Sequence, residues 1–449
     1  MANENNSTTA TFPQPQIPFD MGSEPREGEE LPTVAALCSS YFPGSHSQHT
    51  VDRFLTGYEY NGRMHYPPFR VVSAYVDQAA ANDLSGYRAD QYDLKIYPGI
   101  SGALTLGTGK LAVDNILLVC KNGDYPSNEK GQILYPRYEF FQEMIDIFRS
   151  SGRSVPVFND KHLSYDWGKA KWMYDQHVAL GFPMLAGSSL PVTWRLPELE
   201  FPLGIELEEA VVAYPGHVES YGIHALETLQ CLVERREGAE TGVAAVQCVE
   251  GQAVWQAARE GRWSRELLDA ALDRSLPRSI VEERRAWTDT ELEEAYACRP
   301  FTRAAPLEEA VESPVALLVE YRDGFRAACI NLGNHIGDFT FAARLKNGET
   351  VATLFFLGGG PQSAYHGVQV YHIENLFLNK KPNYPVERTL LTSGTLSFLM
   401  DSRVAAGKRI ETPELGVCYQ VPEASRFERG PMPFLCPWCP NGRYKSPAT

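Results

Sequence analysis

Between residues 33 and 190, short apolar runs alternate with stretches of helical spacing, and this alternation limits the fold more than any other feature of the chain. TVAALCSSY reads as a strand and HSQHTVDRFL as the helix behind it; FRVVSAYVD is a second strand, ending on Asp77. LKIYPGISGAL and AVDNILLVC supply a further pair. YPRYEFFQEMIDIFRSSG has helical spacing with Gly152 as its stop. SVPVFND is a strand, YDWGKAKWMYDQHVALG a helix ending at Gly181, and PMLAGSS another strand. This order predicts an open parallel sheet with helices on both faces, which binds ligands beyond the carboxyl ends of its strands.

After about residue 195 the texture changes. GIELEEAVVAYPG is strand-like, ESYGIHALETLQCLVE helical, and SRELLDAALDRS and DTELEEAYACR helical. Long strand-like runs follow: PVALLVEYRDGFRAACINL, DFTFAARLKNGETVATLFFLG and YHGVQVYHIENLFL. Asp-Gly in YRDGF and Asn-Gly in LKNGET are hairpin signals. As a strand, YHGVQVYHIENLFL puts His366 and His372 on one face, with Glu374 nearby; the three glycines of FFLGGGPQS mark a turn. This half is α+β with a largely antiparallel open sheet. The predicted organisation is a disordered tail (1–32), a Rossmann-like nucleotide-binding domain (33–195), an α+β substrate and oligomerisation domain (196–415) and a C-terminal tail packed on both (416–449).

A length of 449 residues favours two domains, and 43% hydrophobic with 22% charged residues is ordinary globular material. A formal charge of -15 argues against a nucleic-acid partner. No apolar run reaches membrane-spanning length, and MANENNSTTATFPQPQIPF has no basic-then-apolar leader, so no membrane and a cytoplasmic address are expected. Cys38, Cys120, Cys231, Cys248 and Cys329 sit in apolar contexts, as reduced core residues do; Cys436 and Cys439 form a lone CxxC, read as a packed terminal segment.

The order of elements and several short motifs resemble the glucose–fructose oxidoreductase/inositol dehydrogenase (Gfo/Idh/MocA) family. That family pairs a Rossmann domain with an open-sheet α/β domain and binds a sugar or cyclitol between them. Its fifth strand typically ends Glu-Lys-Pro, the lysine serving the reacting hydroxyl or carbonyl; here that place reads Asp160-Lys161-His162. LKIYPGISGALTLGTGKLAVDNILLVCKN is similar to the family's strand–helix–strand block, with Asn122 at its expected asparagine. YGIHALETL resembles the Asp-x-Gly-x-His-x-x-Asp helix: Gly222 and His224 match, Glu227 stands for the last acid, and Ser220 replaces the first. NYPVERTLLTSGTLSFLMDSRVAAGKRIE resembles the closing helix and tail. The resemblance implies NAD(H)-linked chemistry at a hydroxyl or carbonyl of a polar small molecule, and a homo-oligomer formed through the C-terminal sheet. Two departures stand out. After the first strand, CSSYFPGSHSQH keeps only Gly44 of the dinucleotide fingerprint, with His46 where the third glycine would pack. The other departure is His162 and Ser220 in place of Pro and Asp. Ser39, Gly44, Asp77 and Asn122 are the expected cofactor-lining residues, Asp77 suiting the ribose 2′-hydroxyl of NAD; Ser45, Ser47 and the helix N-terminus could hold an anion.

Hydride exchange with a secondary alcohol needs a group that takes and returns the hydroxyl proton. A lysine between a carboxylate and an imidazole is such a group, so Lys161, with Asp160 and His162, and His224 are the catalytic candidates. The plain alternative is a structural Asp160–Lys161 ion pair. Residues 123–137 form a long loop at a strand's carboxyl end, with Tyr125 and Arg137 as candidates for shaping substrate access. His46 and His49 map to the same cleft. A rival reading uses His162, His217, Glu219 and His224 as ligands for a divalent metal such as zinc, manganese or iron, in a lyase, isomerase or hydrolase that has lost the dinucleotide. A third is a non-catalytic protein that binds a ligand or partner.

Overall fold

The computed structural model describes residues 29–61, 63–275, 306–357 and 363–430. Strand β1 (Thr33–Cys38) is buried after its first residue and lies between β4 (Arg70–Val76) and β6 (Asn115–Val119), parallel to both. With β5 (Lys95–Tyr97), β7 (Val157–Asp160) and β8 (Met184–Gly187) it makes a six-stranded, all-parallel sheet in the order β5-β4-β1-β6-β7-β8. The near-continuous apolar character of β1, β6 and β7 follows from burial on both faces. On one side lie α3 (Ile100–Thr105), α4 (Arg137–Ser151) and α5 (Trp167–Leu180); on the other lies α1 (His46–Thr56), with a small helix α2 (Ser85–Tyr92) at the edge. The predicted stops Gly152 and Gly181 cap α4 and α5 in the left-handed conformation.

The second sheet has eight strands: β9 (Trp194–Leu196), β10 (Leu207–Tyr214), β11 (Val243–Glu250), β12 (Val315–Tyr321), β13 (Arg326–Asn331), β14 (Phe339–Leu345), β15 (Thr350–Phe356) and β16 (Ile410–Glu411). Their order is β16-β11-β12-β13-β10-β14-β15-β9. Every pair is antiparallel except β10–β13, and both expected hairpins, β12–β13 and β14–β15, are present. Side chains alternate across it. Val212, Cys329 and Phe341 face α6 (Val218–Val233) and α11 (Val386–Val404), while Val211, Ile330 and Ala342 face α7 (Gln252–Arg259), α8 (Arg265–Leu272) and the short α9 (Leu307–Ala310). The chain's own helices, anchored by buried Trp255 and Trp263, thus cover the face through which self-association was expected.

Helix α11 joins the two layers, packing on α5, α6, β8 and β11. Its Ser393 and Ser397 hydroxyls accept hydrogen bonds from the backbone N–H groups of Leu163 and Trp167, beside the end of β7. At its first turn Arg388 donates to Glu234 in a buried bidentate pair.

YHGVQVYHIENLFL is not a strand but the body of helix α10 (Tyr365–Asn379). His366, His372 and Glu374 are therefore helical and buried. Buried Glu374 accepts from Tyr58 Oη and contacts His65 Nε2 at 2.7 Å. This pins α10 to a hairpin the sequence reading missed, β2 (Tyr58–Tyr60) with β3 (Arg63–His65). Cys38, Cys120, Cys231, Cys248 and Cys329 are free and buried as expected. The tail up to residue 28, DTELEEAYACR, the triple glycine 358–360 and Cys436–Cys439 lie outside the described residues.

Candidate functional site

The carboxyl ends of β1, β6, β7 and β8 meet the N-terminal ends of α1, α4 and α6. Strand β7 delivers Asp160, and the chain then turns sharply: Lys161 has φ +63°, and its N–H donates to Gly187 O at 3.1 Å across the end of β8. A lysine with positive φ is a strained backbone, held here by the β7–β8 bridge. Asp160, Lys161 and His162 are all buried.

Each flanking group has an identifiable partner. Asp160 Oδ2 lies 2.9 Å from His46 Nδ1, a close ion contact though poorly aligned as a hydrogen bond. Burial alone would raise the Asp160 carboxyl, but His46, Lys161 and Arg137 together hold it below its ordinary value. The direct ion contact of Asp160 is thus with His46, and Lys161 acts on it only through its nearby charge. Burial and then Lys121 push the Lys161 ammonium well below the usual lysine range, with Asp160 opposing and Arg137 adding to the drop. His162 stands 3.5 Å from Arg137 Nη1 and is held neutral by burial and the neighbouring cations.

His224 approaches from α6. Its Nδ1 is 2.5 Å from Ser188 Oγ, just past β8. Burial, and then the neighbouring Lys161, press the imidazole toward its neutral form. The two expected proton carriers are thus anchored on adjacent residues at the end of β8, Lys161 through its N–H on Gly187 O and His224 through Nδ1 on Ser188 Oγ. One turn later Glu227 accepts from Ser188 N at 2.5 Å and from Thr389 Oγ at 2.6 Å. A Cβ on Gly187, at φ +120°, would stand 2.6 Å from Thr389 Oγ and 2.7 Å from Glu227 Oε2; only glycine lets α6 and α11 close on the strand end. Burial drives Glu227 up to about 7 against its hydrogen bonds.

Sequence reasoning underrated Lys121, Ser188 and the pairing of His46 with Asp160. Lys121 stands two residues after the end of β6, where a chain leaving a parallel strand delivers site residues. Glu219 is buried beside Lys121 and Arg137 and is pushed up by burial against those charges. It lines an open cleft of about 900 Å³, together with Ser127, Gly131 and Ile133 of the long loop and with His217, Asn331 and Arg403.

The metal set does not assemble. His217 is exposed at the cleft rim, His224 is half-buried and His162 is buried. Among the described residues no group of three or more His, Cys, Asp or Glu is arranged to hold a metal ion. His46, His49 and His366 instead stack on one another, His49 on His366 at 4.8 Å and His46 edge-on at 5.2 Å.

The dinucleotide candidates cluster at the carboxyl ends of β1 and β4. Gly44 has φ +83° with nothing within 4 Å of a Cβ placed there, so a bound group can approach the backbone. Several donors there are already engaged. Gly44 N–H donates to Gln48 Oε1, His46 N–H to Asn122 Oδ1 at 2.9 Å, and Ser39 Oγ to Asn122 O at 2.5 Å. Ser45 Oγ caps α1 by accepting from Gln48 N, and Ser47 is buried. Asp77 accepts Tyr75 Oη at 2.6 Å and Tyr125 Oη at 2.7 Å. These contacts at Gly44 and Asp77 are exposed and can be exchanged for those of a ligand; Tyr125 covers Asp77 and would have to give way to a ribose there.

No protein-family model and no curated protein matches the chain. Solved structures do. GenD2 from gentamicin A biosynthesis, determined in complex with NAD, superposes over 88% of this chain and 99% of its own, with a TM-score of 0.53 at 13% identity. The chain shares that fold. A myo-inositol dehydrogenase from Lactobacillus casei, in complex with NAD(H) and myo-inositol, matches 85% of this chain and 97% of its own at 10% identity and a TM-score of 0.48. No helix among the described residues is long and apolar enough to cross a membrane.

Proposed function

We propose that the protein is an NAD(H)-linked oxidoreductase, a divergent relative of the Gfo/Idh/MocA enzymes, acting on a hydroxyl or carbonyl of a sugar-, cyclitol- or similar polar molecule. The observation that carries this reading is that Lys161, buried, and His224, half-buried, are anchored on the adjacent residues Gly187 and Ser188 at the carboxyl edge of a parallel sheet, both biased toward the uncharged form. The fold shared with a protein crystallised with NAD supports the nucleotide half.

Ser39, Gly44, Asp77 and Asn122 would hold the dinucleotide. When bound, NAD supplies an acceptor for the hydride leaving the carbinol carbon. The proton leaving the hydroxyl must go to the protein. A neutral Lys161 amine can take it, and in reduction the ammonium can return it to the carbonyl oxygen. With His224 Nδ1–H donating to Ser188 Oγ, Nε2 is left as an acceptor for the substrate hydroxyl. Asp160 counters the charge Lys161 gains, and His162 walls the site. Among the described residues no ligand group supports the metal-dependent alternative.

The experiment is NADH titration by calorimetry, followed by a polyol and sugar screen read at the nicotinamide absorbance. Saturable NADH binding with turnover that Lys161→Met abolishes supports the proposal; a protein that binds no NADH contradicts it.

A further inference from the structure

Arg137, the first residue of α4, is fully buried, yet among the described residues it has no ion-pair partner. Its Nη1 faces His162 Nε2 at 3.5 Å, and its guanidinium sits 5.1 Å from the centre of the Tyr135 ring. Its other edge, Nε and Nη2, has no hydrogen-bond partner. Those two N–H groups form the side-on fork that matches a carboxylate with two parallel hydrogen bonds. A buried guanidinium cannot shed its proton to escape burial, so an unpaired one is costly unless an anion completes it.

The surroundings agree. Lys121 Nζ sits 5.1 Å from the centre of the same Tyr135 ring, and it lies close enough to Arg137 for the guanidinium to depress its ammonium. Lys161 and Glu219 share this neighbourhood, and Glu219 opens on the 900 Å³ cleft. His162 Nδ1 and Asn159 Oδ1, buried nearby on the β7 end, are likewise without partners.

We infer that Arg137 and Lys121 form a carboxylate-binding subsite beside Lys161, so that the substrate is a polyhydroxylated carboxylate, of the aldonate or uronate class, rather than a neutral sugar or cyclitol. This rests on the oxidoreductase reading for what happens next to the carboxylate, but not for the binding itself.

The test is calorimetric titration of the purified full-length protein, with and without saturating NADH. The probes are matched pairs: D-gluconate against D-glucitol, D-glucuronate and D-galacturonate against the parent sugars, and glucose 6-phosphate. At least one carboxylate is expected to bind ten-fold or more tightly than its neutral counterpart. Arg137→Met and, separately, Lys121→Gln are expected to weaken it roughly 10- to 100-fold, as loss of charge-assisted hydrogen bonds should, with NADH affinity unchanged. Arg137→Met should also keep or raise the melting temperature, because an unpaired charge is replaced by an apolar chain; a guanidinium with a structural partner would destabilise on removal. The inference is overturned if neutral and carboxylate probes bind alike, if the phosphate ester binds in preference, or if neither variant affects carboxylate binding. Failure of NADH to bind while carboxylates bind selectively would overturn the oxidoreductase reading alone.

Discussion

His46 Nδ1 and Asp160 Oδ2 stand 2.9 Å apart, joining the first turn of α1 to the end of β7. The imidazole that displaces a fingerprint glycine thus partners the acid preceding Lys161. Asp160, shared between His46 and Lys161, leaves the amine mainly subject to burial and to Lys121.

Lys161→Met is predicted to lower kcat/KM for the eventual substrate by at least about a thousand-fold, within the range that losing an acid–base group costs. Because the ammonium is depressed, wild-type oxidation should rise with pH at a value well below the ordinary lysine range, as the amine loses its proton. The variant should lack that limb. Steady-state pH profiles check this.

Tyr125→Phe removes the hydroxyl that closes on Asp77. One exposed hydrogen bond to a carboxylate is worth about 1 kcal/mol, so NADH should bind roughly five-fold more tightly to the variant. Fluorescence titration with NADH reads the change directly.

Glu227 has a folded value raised from 4.5 to about 7. A raised carboxyl contributes stability that is complete below its unfolded value and lost as pH climbs through the folded one. Wild-type stability should fall between about pH 4.5 and 7, by something on the order of 3 kcal/mol. Glu227→Gln should flatten that slope in denaturant titrations run across the window.

Gly187→Ala forces a methyl against Thr389 and Glu227 at a backbone angle L-residues avoid. A destabilisation of about 2–4 kcal/mol is expected from overpacking and strain combined. His224 should lose its Ser188 contact, visible as a changed imidazole chemical shift by NMR.

Much of the fold was legible because local signals agreed with tertiary ones. Gly152 and Gly181 ended their helices, and Asp323-Gly324 and Asn347-Gly348 marked real hairpins. Helix α10 was not legible: residues 366 to 377 are buried without a break, so no polar face imposes a 3.6-residue period, and Val368, Val370, Tyr371 and Ile373 favour a strand locally. The β2–β3 hairpin carried its own signal, Asn61-Gly62 in YEYNGRMHY, which was overlooked. At the site, Lys161 and His224 stood out by motif, whereas Lys121 and Ser188 are ordinary residues that only the strand ends bring near them.

The central claim is tested most directly by a crystal structure of the protein grown with NADH. A dinucleotide is expected along Ser39, Gly44 and Asp77, with Tyr125 moved off Asp77 and the nicotinamide ring within reach of Lys161 and His224. A groove still closed by Tyr125 in crystals grown at saturating NADH would contradict it, as would a nicotinamide lodged where neither side chain can reach it.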